Sequence, residues 1–362
     1  MSDTRKGFGI IGAGMIAGIH ADALRHSGKA YFAGAYDINP EAARKLVSAS
    51  APEARVYASV DEMLADKRVE VVNVSTPNHL HTEFVLKAAA AGKHVLCEKP
   101  PAMSLEETDR MIAACHAAGV RFGIFVQSRV RHPARSMKQA LATGRFGKVL
   151  RVEALMKWYR EPGYYSLAAW RSNVACGAGV TIQQAFHYYD LLQSLMGPAT
   201  RVRAEMTNIG HPGIPVEDTL DARITFANGV AGTVFASTAL WPGFDVRIEV
   251  YGTEGCAIME GTALKEWKFK QELPEDAVIR AGGTAQKATG SGAYNALQSE
   301  DHQFVIDDCV DAINEGREVC IPCSDVRASL EMALAMYYSD RIKAEVQLPL
   351  PPEADLWKPA KR

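Results

Sequence analysis

Short apolar runs alternate with amphipathic segments through the first 126 residues of the chain. Uncharged, β-branched runs are typical of strands that are covered on both faces, and the amphipathic segments between them predict helices. Helix starts are marked by Asn39-Pro40 and by two capping boxes, Ser59 to Glu62 and Ser104 to Glu107. The predicted strands are 7–11, 30–36, 56–57, 69–75, 93–97 and 121–126. With right-handed crossovers, this alternation predicts a doubly wound parallel sheet, a Rossmann domain over residues 1–127.

The pattern changes after residue 128, where strands dominate and Asn228-Gly229 separates two of them as a hairpin turn. The predicted strands are 149–156, 200–207, 218–226, 230–237, 247–251 and 256–259. Helices are predicted near 182–195, 301–314 and 326–343, the last capped by Ser324 or Asp325, and 274–299 is expected to be irregular. Residues 128–362 therefore predict an α+β domain with a large, mostly antiparallel open sheet, covered by helices on one face.

Composition narrows the class of protein. The 362 residues are 48% apolar and 23% charged, with a net charge of −2 and no long run of one sign, so neither a nucleic acid nor a membrane surface is expected as a partner. The N-terminus carries no signal-peptide pattern, which predicts a cytoplasmic protein. Seven scattered cysteines fit reduced thiols, and the lone pair Cys320 and Cys323 lacks the second pair that a zinc site needs.

A glycine-rich turn follows the first strand and opens the first helix: Gly12-Ala13-Gly14-Met15-Ile16-Ala17. Such a turn lets the backbone approach a pyrophosphate at a helix N-terminus. Asp37 ends the second strand, where an acid can accept hydrogen bonds from ribose hydroxyls and repels a 2′-phosphate. Because no cation follows at Ile38 or Asn39, NAD is favoured over NADP as the cofactor.

Polar residues also follow later strands of the predicted sheet, at the edge where such sheets bind ligands. Ser75-Thr76-Pro77-Asn78 and the weaker candidate Gln127 are expected on the nicotinamide side, with His81 at a helix start or near a ribose. Glu98-Lys99-Pro100 ends the next strand; there an ammonium can donate to a substrate oxygen or, with a lowered pKa, move a proton. His79 and His81 lack a third ligand of suitable spacing, so no metal is expected.

Together these residues resemble the glucose–fructose oxidoreductase and inositol dehydrogenase (Gfo/Idh/MocA) family. The resemblance extends to three further segments, which are Trp170-Arg171, Gly177-Ala178-Gly179 with His187-Tyr188-Tyr189-Asp190, and Val250 to Gly255. It covers nearly the whole chain and implies a Rossmann domain followed by an α+β domain whose open sheet often forms a subunit interface. A homodimer or homotetramer through that sheet is therefore expected.

The resemblance also implies that Lys99 and His187 are catalytic, with Lys99 also among the cofactor and substrate contacts and Glu98 beside the cofactor. Many members have Asp where this chain has Gln183, which cannot act as acid or base, so the proton relay falls to Lys99 and His187. Without the resemblance, His187 would be read as a core histidine paired with Asp190. Tyr164, Trp170 and Arg171 are expected to pack or to bind the substrate, together with Gln183.

The function expected is NAD-dependent hydride transfer to or from a hydroxyl carbon of a sugar, polyol or sugar derivative. Two alternatives stay open at this point. One is a non-redox sugar enzyme, such as a glycosidase, that uses NAD for transient oxidation, and the other is a non-catalytic NAD-binding regulator. The sequence does not name the substrate.

Overall fold

The structure is a computed structural model that describes residues 5–283, 299–351 and 354. The chain divides into two compact units, Met1–Gln127 with Gln298–Arg327 and Ser128–Leu297 with Ala328–Arg362. The first unit ends at Gln127, the last residue of the expected Rossmann domain, and it also includes 298–327, which lie in the expected second domain.

The first unit contains a six-stranded parallel sheet in the order β3-β2-β1-β4-β5-β6. Its strands are Lys6–Ile11 (β1), Ala30–Tyr36 (β2), Arg55–Val56 (β3), Val71–Val74 (β4), His94–Glu98 (β5) and Phe122–Phe125 (β6). Its first five helices are Met15–His26 (α1), Pro40–Ser50 (α2), Val60–Ala65 (α3), His81–Ala90 (α4) and Leu105–Ala117 (α5). The predicted doubly wound sheet is confirmed, and strand order reverses between β1 and β4, where such sheets bind ligands.

Local sequence accounts for these elements. The central strands β1 and β4 are buried on both faces, as their uncharged runs predict. The side chains of Asn39, Ser59 and Ser104 each accept a hydrogen bond from a backbone N–H in the first turn of the helix that follows. These three predicted helix starts are confirmed.

The returning segment of the first unit forms the helix Glu300–Glu315 (α11), which packs against α1. His302, Val305 and Ile306 are buried in it. At the C-terminal end of α1, the hydroxyl of Ser27 donates a hydrogen bond of 2.5 Å to the carboxylate of Asp307 in α11. Sequence periodicity indicated this helix but not its location, because an apolar helix face does not specify which sheet will cover it.

The second unit contains an eight-stranded sheet in the order β13-β12-β11-β7-β10-β9-β8-β14, in which only the β7–β10 pairing is parallel. Its strands are Val149–Lys157 (β7), Ala199–Thr207 (β8), Thr219–Phe226 (β9), Ala231–Ser237 (β10), Arg247–Gly252 (β11), Gly255–Glu260 (β12), Ala263–Phe269 (β13) and Val346–Gln347 (β14). The helices are His132–Ala142 (α6), Pro162–Ser166 (α7), Val180–Gln183 (α8), Phe186–Met196 (α9), Pro274–Gly282 (α10) and Cys323–Ile342 (α12), whose residues from Ala328 onward belong to this unit. The predicted mostly antiparallel sheet is confirmed.

Four details of the second half differ from the sequence predictions. Strands β13 and β14 were not predicted, and the helix predicted near 182–195 is two helices, α8 and α9. Part of 274–299 forms the helix α10, which starts at Pro274, and the amide of Leu273 donates to the carboxylate of Asp276 in its first turn. Residues 284–298 lie outside the described residues. Helix α12 starts before its predicted caps because the carbonyl of Pro322 already accepts from the amides of the first turn.

Among the helices of the described residues, none combines the length and the apolar character that crossing a bilayer requires.

Candidate functional site

The turn after β1 is built for a close backbone approach. Gly12 has φ of +93°, and a Cβ there would lie 2.8 Å from the carbonyl oxygen of Ser75 at the end of β4. Gly14 is the N-cap of α1, no side chain caps this helix, and its first turn carries no acid. A Cβ on Gly14 would meet nothing within 4 Å. An uncapped helix N-terminus behind an open glycine fits the pyrophosphate of a dinucleotide.

Asp37, at the end of β2, holds the glycine-rich turn in place. One of its carboxylate oxygens accepts from the amide of Ala13 over 2.6 Å, and the other accepts from the amide of Asn39 over 2.8 Å. Each oxygen retains a second lone pair for a ribose hydroxyl. Ile38 beside it is 92% exposed and offers no cation for a 2′-phosphate. Asp37 therefore fits the ribose-binding role expected of it, and its hydrogen bond to Ala13 also holds the glycine-rich turn.

Two buried polar atoms lie at the ends of β4 and β6. Within the described residues, the hydroxyl of Thr76 and the side-chain oxygen of Gln127 have no hydrogen-bond partner. Buried polar groups are normally satisfied, so these two atoms suit a polar ligand. The nicotinamide half of NAD, whose carboxamide carries donors, is such a ligand. Met15 and Pro77 flank the crevice, Met15 as the first residue of α1 and Pro77 as the cap of a short 3-10 helix over Asn78–Leu80.

His81 has a different environment from the one expected of a cofactor contact. Its ring is fully buried, with Nδ1 2.9 Å from the carbonyl oxygen of Pro100 and Nε2 2.9 Å from that of Thr76. Burial lowers the pKa of His81 more than these hydrogen bonds raise it, so the ring is neutral at neutral pH. A neutral ring carries one N–H, so His81 donates to one of these two carbonyls, which follow β4 and β5.

Glu98 and Lys99 end β5, and the Lys99–Pro100 peptide bond is cis. Burial lowers the pKa of Lys99, and the neighbouring charge of Glu98 partly opposes this effect. Burial raises the pKa of Glu98, but its hydrogen bond to His20 and the nearby charges outweigh this effect and leave the pKa below its ordinary value. The pair therefore combines an ionised carboxylate with an amine that releases its proton more readily than usual.

His20 and His302 are residues of this region that the sequence did not single out. The His20 ring on α1 is fully buried, 4.2 Å from the ring of Phe125 and 5.1 Å from that of His302 on α11. Ligand atoms of His20, Glu98 and His302 lie within 4.8 Å of one another. The available signal was a histidine on the otherwise apolar face of α1, between Ala17 and Leu24.

In the second unit, His187 occupies the first turn of α9 and is partly exposed. One turn later, the fully buried carboxylate of Asp190 accepts from Arg129 over 2.6 and 2.7 Å and from the hydroxyl of Ser329 over 2.7 Å. These bonds attach the start of α9 to its neighbours. Gln183, partly buried, is the last residue of α8.

Stacked aromatic and guanidinium groups precede these helices. The guanidinium of Arg171 lies 4.4 Å from the ring centre of Tyr164 and 4.8 Å from that of Trp170, and Arg171 itself is 9% exposed. Arg160, which the sequence analysis missed, lies 5.6 Å from the same Tyr164 ring, and burial lowers its pKa. Two largely buried cations around one ring form a surface suited to a sugar face with an anionic substituent.

Glu217 is a further residue that the sequence did not single out. Its carboxylate accepts from the amide of Thr181 over 3.0 Å and from the hydroxyl of Tyr337 over 2.8 Å, and burial raises its pKa. A Cβ on Gly179, where φ is +117°, would lie 2.3 Å from both carboxylate oxygens. Gly179 is therefore required by the neighbouring carboxylate of Glu217, which is partly buried.

The thiols offer little reactivity. All seven cysteines are free, and burial raises the pKa of Cys323 well above its ordinary value, which keeps it a thiol.

Comparison with known proteins identifies the family. The family model described as an oxidoreductase family with an NAD-binding Rossmann fold (Gfo/Idh/MocA) matches residues 6–126, and the model of the Gfo/Idh/MocA C-terminal domain matches residues 134–258.

Curated relatives and solved structures agree with these models. The 1,5-anhydro-D-fructose reductase of Ensifer adhaerens is 36% identical over 59% of this chain and 66% of its own length. The myo-inositol 2-dehydrogenase of Thermotoga maritima is 29% identical over 68% of this chain and 73% of its own length. The WlbA dehydrogenase of Bordetella pertussis, solved in complex with NADH and UDP-GlcNAcA, is 29% identical with a TM-score of 0.86 over 97% of this chain and 100% of its own. Since models of both domains match in order and over most of the chain, the protein belongs to the Gfo/Idh/MocA family of NAD-binding oxidoreductases.

Proposed function

We propose that this chain catalyses reversible oxidation of a hydroxyl carbon in a sugar or sugar derivative, with NAD as the hydride acceptor and with Lys99 and His187 as the proton-handling residues. The observation that carries the proposal is the position of partly buried Lys99 beside Glu98, at the carboxyl edge of a sheet whose β1 turn fits a pyrophosphate. NAD, when bound, accepts the hydride at C4 of its nicotinamide ring.

The chain's own residues divide the binding work. Gly12, Gly14, Met15 and Ile16 hold the pyrophosphate through the turn and the start of α1. Ser75, Thr76, Pro77, Asn78 and Gln127 line the nicotinamide side, where the buried oxygens of Thr76 and Gln127 match its polar groups.

Asp37 sets the preference for NAD. Its carboxylate repels a 2′-phosphate, and exposed Ile38 provides no compensating cation. An Asp37→Ala, Ile38→Arg variant should bind NAD about tenfold more weakly and NADP more tightly, as measured by fluorescence titration. Equal turnover of the unaltered enzyme with NADP and NAD would refute the assigned preference.

Proton transfer follows from the lowered pKa of Lys99. A larger neutral fraction of its amine is available at neutral pH to accept the proton of the substrate hydroxyl. His187, partly exposed at the start of α9, provides the second acid–base group, and Gln183 contributes only hydrogen bonds.

The substrate side of the site is formed by Tyr164, Trp170 and Arg171, with Arg160 behind them. Aromatic faces bind the apolar face of a pyranose, and the two cations favour a substrate with an acidic group, such as a sugar acid or a nucleotide-linked sugar. The solved WlbA complex contains a substrate of this kind.

The open face of the eight-stranded sheet is proposed as the interface of a homodimer or homotetramer. Leu155 of β7 and Phe235 of β10 are paired across the strands on this face, and both are partly exposed. Phe235→Glu should reduce the mass measured by light scattering to that of a smaller assembly, and an unchanged mass would argue against this interface.

The test of the reaction is an absorbance screen for NADH with polyols, aldoses, sugar acids and nucleotide-linked sugars. Lys99→Ala should lower turnover by about 100-fold or more, whereas Lys87→Ala on the exposed face of α4 should not change it. Net NADH formation by one substrate class that Lys99→Ala abolishes supports the proposal. Substrate cleavage without net NADH would indicate the non-redox reaction, and NAD binding without any turnover would indicate a regulator.

A further inference from the structure

A chain of four hydrogen bonds in the first unit begins at Ser75, just after β4, and ends at the backbone of Lys99, just after β5. The hydroxyl of Ser75 donates to Oδ1 of Asn73 over 3.3 Å, and Nδ2 of Asn73 contacts Nδ1 of His20. Nε2 of His20 lies 2.8 Å from Oε1 of Glu98, and Oε2 of Glu98 accepts from the backbone N–H of Lys99 over 3.3 Å. His20 and Asn73 are fully buried.

The Glu98 carboxylate, which can only accept, requires Nε2 of His20 to be the donor, and the other bonds agree with this direction. Because Oδ1 of Asn73 faces the hydroxyl of Ser75, the amide nitrogen of Asn73 faces His20 and donates to its Nδ1. Nδ1 is therefore an acceptor, and the ring proton lies on Nε2, which donates to Glu98.

This arrangement disfavours a metal ion among His20, Glu98 and His302. A protonated Nε2 has no lone pair for a metal, and its 2.8 Å separation from Glu98 is a hydrogen-bond distance. Two ligands of a tetrahedral zinc, each about 2.0–2.1 Å from the ion, would be about 3.3 Å apart.

We propose that His20 is a positioning residue, which holds the Glu98 carboxylate against the backbone of Lys99 and so fixes the lysine for its reaction. The inference rests on the proposed role of Lys99. His20 comes from α1 and Glu98 from β5, so the hydrogen bond links the helix that faces the pyrophosphate to the strand that carries the lysine. Cofactor and lysine are thereby placed by one rigid unit.

The surroundings of Glu98 support this role. The hydrogen bond from His20, together with nearby His302 and Lys99, holds the pKa of Glu98 below its ordinary value despite burial. The ionised carboxylate in turn supports the protonated form of Lys99 against burial. Without the His20 hydrogen bond, the Glu98 carboxylate is no longer held beside Lys99, so its charge supports the ammonium less and the pKa of Lys99 should fall further.

Two substitutions separate the two sides of the imidazole. A glutamine amide nitrogen reaches the place of Nε2, so His20→Gln retains a donor to Glu98, whereas the shorter side chain of His20→Asn reaches only the Asn73 side. His26→Gln is the matched control, because His26 lies on the same helix, is exposed, and its ring contacts the backbone carbonyl and the carboxylate of Asp22. Glu98→Gln retains the acceptor but removes the charge, and it serves if His20→Asn does not fold.

The decisive measurement needs no substrate. The rate of Lys99 acylation by acetic anhydride is followed against pH by peptide mass spectrometry, with Lys87 as the internal reference. In His20→Asn the titration of Lys99 should move to lower pH by about half a unit or more, and His20→Gln and His26→Gln should keep the unaltered titration. Once a substrate is known, His20→Asn should also lower kcat about tenfold with the Kd for NAD nearly unchanged.

The inference would be overturned if Lys99 titrated at the same pH in His20→Asn and His20→Gln. It would also be overturned if His20→Asn lowered only the Tm and the affinity for NAD. Full activity of Lys99→Ala would refute the proposed function instead, and the acylation profile would still decide whether His20 positions Lys99.

Discussion

The buried ion pair between Arg129 and Asp190 provides the sharpest test of how the second unit holds His187. The side chains are 7% and 0% exposed, and the guanidinium donates two hydrogen bonds of 2.6 and 2.7 Å to the carboxylate. Asp190→Asn removes the negative charge at nearly constant shape and leaves the arginine charge buried.

The expected cost is large because the remaining cation cannot regain water. Removing one partner of a buried pair costs about 3–5 kcal/mol. At about 2–4 °C per kcal/mol for a unit of this size, the Tm should fall by about 6–20 °C. Since Asp190 lies one turn after His187 on α9, turnover should fall as well.

Differential scanning calorimetry on the variant and on Glu83→Gln measures this cost. Glu83 forms an exposed pair with Lys87 on α4, so its loss should cost less than about 0.5 kcal/mol. Replacing both buried partners, as in Arg129→Met with Asp190→Leu, should recover much of the stability because no charge is left unpaired. A Tm for Asp190→Asn that matches the Glu83→Gln control would refute the reasoning.

Two further predictions concern the glycines and Glu217. Gly12→Ala should lower the Tm even without cofactor, because φ is +93° and the new Cβ would clash with the backbone of Ser75. Gly14→Ala should leave the Tm unchanged and weaken only NAD binding. Equal Tm values for the two variants would contradict this prediction. Because burial raises the pKa of Glu217 above 4.5, the stability it provides when protonated is fully present below that pH and is lost as the pH rises through the folded-state pKa. Glu217→Gln resembles the protonated acid, so its Tm should be higher than that of the unaltered protein at pH 7 and nearly the same at pH 4. A lower Tm for the variant at pH 7 would show that the charge of Glu217 is favourable.

Local patterns predicted most of the first unit. The side chains of Asn39, Ser59 and Ser104 form their caps within one turn, and the apolar strands need only nearby helices to cover them. The glycine-rich turn and Asp37 were also visible, because both occupy fixed places relative to the first two strands.

Other features required the folded chain. His81 is the first residue of α4, one of the two places expected for it, but only the fold shows that its nitrogens lie 2.9 Å from the carbonyl oxygens of Pro100 and Thr76. His20 looked like one histidine on an apolar helix face, and its partners Asn73 and Glu98 lie 53 and 78 residues away in the chain.

The sequence by itself determined the doubly wound first domain and the mostly antiparallel second sheet, and it supplied the residues proposed for the nicotinamide site. These depend on interactions within a turn or between successive elements, which the spacing of residues encodes. Only the tertiary structure decided that α11 returns to the first unit, that Glu217 lies against Gly179, and that His20 bonds to Glu98. Such pairings join residues far apart in the chain, and they follow from which buried polar groups meet once the elements have packed.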